Sequence, residues 1–114
     1  MWCIEYYETE NGKMPAYDFI NSLPTKLKAK AAVDLGLLEE LGSQIKLPYS
    51  RPMKNGLHEL RINQGGDAAR VFYFFFVGEK IILLNGFLKK TQKTPAGEIE
   101  KALKYKADYE RRCV

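Results

Sequence analysis

The sequence predicts an α+β fold: one domain over residues 1–114, in the order β-α-α-β-β-β-α. Three observations predict it. An apolar stripe at helical spacing runs through residues 24–42. Three runs of β-forming residues, 57–62, 70–77 and 81–85, follow one another across short turns, which forces an antiparallel meander. A last amphipathic segment begins after Thr94-Pro95. The expected architecture is that meander packed against a helical hairpin and a C-terminal helix.

Trp2 to Tyr7 alternates around β-formers and reads as the first strand. Asn11-Gly12-Lys13 is a turn signal. Tyr17, Ile20 and Leu23 recur at helical spacing after Pro15, so a short helix spans about Pro15 to Leu23. Pro24 ends it and suits the first turn of another. From there Leu27, Ala31, Leu35 with Asp34 beside it, Leu38 and Leu41 form one apolar stripe, and Gly42 is a good stop. The short connection makes the two helices an antiparallel hairpin.

Leu47 to Pro52 reads as irregular, because it holds two prolines. In the next strand, Leu57, Glu59 and Arg61 share one face, and His58, Leu60 and Ile62 share the other. Asn63 to Asp67 is a hairpin loop and Gly78-Glu79-Lys80 a tight turn. Arg70 to Val77 is rich in aromatics and reads as a central strand. Lys89 to Lys93 is a basic loop, and Thr94 is expected to cap the last helix with Pro95 at its first position. Ile99, Ala102 and Leu103 turn to the core, with Tyr109 extending that face.

Composition narrows the function classes. Hydrophobic residues make up 46% and charged residues 28%, which suits a globular domain rather than a disordered chain. No stretch approaches the ~20 apolar residues of a membrane span. Met1 to Glu5 lacks the basic-then-apolar pattern of a secretory signal. Cys3 and Cys113 lie at opposite ends of the chain, so two free thiols in a reducing compartment are expected, with no disulfide. With His58 the single histidine, no zinc spacing exists.

Charge is unevenly distributed. Residues 1–43 carry four lysines against seven acids, whereas residues 44–114 carry fourteen Lys/Arg against seven acids. A polyanionic partner suits the basic second part. The chain has no Gly-rich phosphate loop, Ser elbow or Cys–His pair. What it has are cations on and around the meander: Lys54, His58 and Arg61, then Arg70 with Tyr73, then Lys89, Lys90 and Lys93. Adjacent strands lie ~4.8 Å apart, so groups on one face can reach a single phosphodiester. Arg61 and His58 have opposite parity, and Arg61 is the preferred site residue. Arg61 and Arg70 read as strand-end charges whose loss costs the fold little.

The blocks Gly56-Leu57-His58-Glu59-Leu60-Arg61, Arg70-Val71-Phe72-Tyr73 and Gly86-Phe87-Leu88-Lys89-Lys90-Thr91-Gln92-Lys93-Thr94-Pro95 resemble the phage-derived branch of the RelE/HigB toxins. These are the toxin halves of type II toxin–antitoxin pairs, and the element order agrees along the chain. The resemblance implies a RelE-like fold and a metal-independent, cofactor-free endoribonuclease that cuts messenger RNA on the ribosome. It further implies a cytoplasmic, bacterial or phage-encoded protein and an antitoxin partner of helix-turn-helix type. RNA supplies its own nucleophile, the 2′-hydroxyl. The enzyme must align it, take its proton, stabilise the charge on phosphorus and protonate the leaving oxygen. By position, Arg61 and Arg70 would hold the phosphate and Lys90 would assist. Lys54 or His58 would transfer protons, Lys89 and Lys93 would hold RNA, and Tyr73 would stack on a base. Family sites often carry a tyrosine after the post-strand basic pair, and none stands between Thr91 and Gly97. Two other functions suit the same residues: a gyrase-poisoning toxin on this scaffold without RNase activity, and a non-catalytic nucleic-acid-binding module.

Overall fold

The computed structural model describes residues 1–90 and 93–113. The elements are β1 (Cys3–Tyr6), α1 (Pro15–Asn21), α2 (Thr25–Leu41), β2 (Ser50–Pro52), β3 (His58–Gln64), β4 (Asp67–Phe76), β5 (Lys80–Leu88) and α3 (Ala96–Arg112). The α+β class and the predicted order hold, with one addition. Ser50–Pro52, expected to be irregular, pairs antiparallel with β3. Pro52 is the last residue of this edge strand, where its missing N–H costs no central ladder bond.

The sheet has five strands in the order β1-β5-β4-β3-β2. β3, β4 and β5 form the antiparallel meander, and β1 joins β5 in parallel. α1 and α2 cover one face, where Ala16, Ile20, Leu27, Ala31 and Leu38 pack on Leu60, Ile62, Val71, Tyr73 and Leu83. α3 covers the other, where Ala102 and Tyr109 pack on Leu57, Phe72, Phe74, Ile82 and Leu84. The alternation read from residues 57–62 is thus the division between two cores. In α2, Asp34 is buried beside Leu35, its carboxylate taking the Lys30 ammonium at 2.7 Å, and Leu41 lies at the stripe's exposed end.

The pairing of β4 with β5 shifts register between Phe72 and Tyr73: Phe72 faces Asn85, whereas Tyr73 faces Leu83. Leu84 is the extra residue of a bulge, which resets the parity of the strand beyond it. Asn85 and Phe87 therefore face α3, and Gly86 faces the Phe19 ring of α1. The far end of α3 is tied back to the first strand and the residue after it, Tyr109 donating to Glu5 at 3.0 Å and Tyr7 to Asp108 at 2.6 Å. Burial, then the Asp108 carboxylate, pushes the Tyr7 phenol up to about 12. Cys3 and Cys113 are free and exposed. Among the described residues, no helix is long and apolar enough to cross a membrane.

Candidate functional site: a cationic cluster around Glu59

The site lies on the α3 face of the sheet, at the end nearest the start of α3. The register places Arg61 directly opposite Arg70, and Arg51 directly opposite Glu59. Glu59 is fully buried. Its Oε1 accepts from Arg51 Nε at 2.9 Å and lies 4.0 Å from Arg70 Nε. Its Oε2 accepts from the Thr94 hydroxyl at 3.0 Å.

Arg70 is 3% exposed and sits inside β4, not at a strand end. The expectation of a solvent-facing charge is therefore corrected: the strand begins at Asp67, so Arg70 lies inside it between β3 and β5 and is buried there. Arg70 Nη1 donates to Asn63 Oδ1 at 3.0 Å and to the Ala69 carbonyl at 2.9 Å. Its Nε is buried without a hydrogen-bond partner, and so is Nε of Arg61. Like charges directly opposite one another on a sheet repel. Burial, then the Arg61 charge, lowers the Arg70 pKa from its usual value.

Lys89, beyond the bulge and of the same parity as Asn85 and Phe87, joins this group. Burial lowers its ammonium pKa first, then Arg70, with Arg51 and Arg61 acting the same way and Glu59 opposing them. Arg51 and Arg70 thus meet at one carboxylate, with Arg61 opposite Arg70 and Lys89, just after β5, within electrostatic reach of all of them. A groove of about 320 Å³ lined by Gly66, Asp67, Ala68, Leu88, Lys89 and Lys90 lies beside them.

The other predicted residues divide. Lys90 and Lys93 are exposed on either side of Thr91 and Gln92, and those two residues of the basic loop lie outside the described residues. Lys54 is exposed in a one-turn 3-10 helix, Lys54–Gly56, whose Gly56 lies against the Lys106 side chain of α3. His58 faces α1 and α2, as parity requires, stacked on Tyr73 with ring centroids 5.3 Å apart. Burial lowers its pKa. His58 and the arginine pair therefore occupy opposite faces and do not act on one phosphate. Tyr73 is fully buried and shares a 2.6 Å hydrogen bond with Ser50. A base has no access to its ring, which corrects the expected stacking role. Thr94 does not cap α3: the helix starts at Ala96 after Pro95, and the Thr94 hydroxyl is spent on Glu59.

Sequence reasoning missed Arg51, Glu59 as a site member, and Thr94. Glu59 carried a signal, since it shares its face with Arg61. Arg51 carried none, because its strand was read as irregular.

Residues 18–107 match the family described as "Phage derived protein Gp49-like (DUF891)". No curated protein matches the sequence. The family match takes in β2 to β5, most of α3 and every residue of the cationic cluster, and the chain belongs to the phage-derived Gp49-like family.

Proposed function

We propose that this protein is the toxin of a toxin–antitoxin pair and a ribosome-dependent messenger-RNA endoribonuclease. The observation that carries the reading is Arg61 directly opposite Arg70, both with buried, unpartnered Nε donors. An anion taken up by the half-buried Arg61 offsets the repulsion between the two and gains charge-assisted hydrogen bonds. Arginine suits a phosphorane because its fork donates in parallel and it never deprotonates. A scissile phosphate held there lies beside Lys89, with Lys90 assisting from the rim. The 2′-hydroxyl attacks phosphorus, its proton passes to a base, and the 5′-oxygen leaves protonated.

Lys89 is the best candidate for that proton transfer, ahead of Lys54 and His58. Its pKa is lowered by burial and by three guanidinium groups. A lysine base must be neutral, so kcat/KM should rise with pH through the Lys89 pKa, in a limb below that of an ordinary lysine. Lys89→Arg should flatten this limb, because arginine stays charged. A limb unmoved by Lys89→Arg assigns the base elsewhere.

The partners follow from the same reading. The ribosome presents the message, and an acidic antitoxin segment covers the cluster. Expression without an antitoxin should arrest growth with cut messages, and co-expression of the antitoxin should restore it. DNA damage with intact messages would instead identify a gyrase poison. Salt-sensitive RNA binding without cutting would identify a binding module. Normal growth at high soluble expression would argue against an active toxin.

A further inference from the structure

Both oxygens of Glu59 are occupied, each by a different part of the fold. Oε1 holds the Arg51 guanidinium of edge strand β2 and faces Arg70 of β4. Oε2 holds Thr94, two residues before α3 begins. A fully buried carboxylate is costly to keep, and among the described residues these partners offset that cost. Arg51 would otherwise be an exposed side chain on a three-residue strand, free to sample many rotamers.

We propose that Glu59 is the positioning residue of this site: it fixes Arg51 as a third phosphate-facing guanidinium and ties Thr94, just ahead of α3, to the sheet. The effect on rate rests on the RNase reading above; the ordering of Arg51 and Thr94 does not. Glu59 is fully buried and does not meet a 2′-hydroxyl, so it acts through its partners. Arg51 then contacts a phosphate of the bound RNA, as a binding residue on the solvent side of the Arg61–Arg70 pair. Both Nη groups of Arg51 are left for that contact, because Glu59 is held through Nε.

The test uses the full chain and variants that keep shape. Glu59→Gln retains one acceptor and removes the charge. Thr94→Val removes one hydrogen bond, and Thr94→Ser restores it. In nitrogen-15 spectra of the free protein, Arg51 Nε–H exchange should accelerate at least about tenfold in Glu59→Gln, as expected when a charge-assisted bond is lost. Binding of a 2′-O-methyl RNA oligonucleotide, which cannot be cut, should change little, because the positive charge the site gains offsets the loss of Arg51 order. On a ribosome-bound message, kcat should fall about 10²-fold in Glu59→Gln, the scale of a small misplacement of reacting groups, with KM little changed. Thr94→Val should lose kcat in the same direction, and Thr94→Ser should recover it.

Unchanged Arg51 exchange in Glu59→Gln would overturn the proposal, whatever the activity. So would a kcat equal to the parent's in both Glu59→Gln and Thr94→Val. A parent that binds the oligonucleotide and cuts nothing would instead sink the RNase reading, and the arginine exchange would then decide the positioning role alone. Should Glu59→Gln fail to fold, Thr94→Val with Thr94→Ser rescue decides it, through kcat in an active parent and through exchange of the Arg51 Nε–H in an inactive one.

Discussion

Arg61→Ala should cut message cleavage by about 10²–10³-fold and leave the melting temperature unchanged or slightly raised. The loss of rate follows from removing one preorganised donor at the phosphate. The effect on stability follows from the free protein, where the Arg61 side chain makes no hydrogen bond or ion pair among the described residues and stands opposite Arg70. Deleting it relieves a like-charge contact. Arg70→Ala should lose as much activity and should also destabilise the fold by about 2 kcal/mol, because Arg70 is buried and its hydrogen bonds to Asn63 and Ala69 disappear. Cleavage of a ribosome-bound message, run alongside thermal unfolding of each variant, separates the two. Parent-like cutting by both variants would remove the arginine pair from the site. A melting temperature for Arg61→Ala well below that of Arg70→Ala would contradict the packing described.

Gly86→Ala should be the most damaging glycine substitution in the sheet. A Cβ there would lie 2.4 and 2.7 Å from two carbons of the Phe19 ring and 2.9 Å from the Arg70 carbonyl oxygen. The ring is wedged between α1 and the sheet, and the carbonyl belongs to the ladder, so neither yields cheaply. Overpacking of this kind costs about 1–3 kcal/mol. In a domain of this size, each kcal/mol corresponds to roughly 4 °C in Tm. Gly86 also follows the bulge that turns Asn85, Phe87 and Lys89 towards α3, so cleavage should fall even below the melting transition. Gly36 supplies the contrast. It lies within α2 with open space around its Cα, and Gly36→Ala should stabilise by about 0.5–1 kcal/mol through helix propensity alone. Equal Tm values for the two alanine variants would mean that the Phe19 contact is soft and that the register of β5 does not depend on it.

Much of this architecture was legible in the residues themselves. Period-two alternation in Leu57 to Ile62 separated Glu59 and Arg61 from His58, because successive side chains of a strand point to opposite faces whatever the strand pairs with. The helical stripe of α2 and the Pro and Gly stops around it are equally local, since propensity and capping act within a turn or two. The excess of basic residues in the second part of the chain is likewise legible before any strand is placed.

Only the tertiary structure decided which of those charges meet. Arg51 enters the site because β2 adds to β3, a pairing that Pro48 and Pro52 argue against locally. Lys89 enters because a bulge at Leu84 resets the parity of β5, and a bulge is set by the mismatch between two paired strands rather than by either alone. Thr94 leaves its helix cap for Glu59, thirty-five positions earlier, because a buried carboxylate gains more from a hydroxyl donor than an exposed helix end does. Tyr73 disappears into the core for the same kind of reason: its ring is covered by α2 and its hydroxyl is satisfied by Ser50. Periodicity is written residue by residue, so the sequence by itself assigns faces. Burial and ion pairing are properties of segments brought together from across the chain, so the site they build exists only once the sheet has closed.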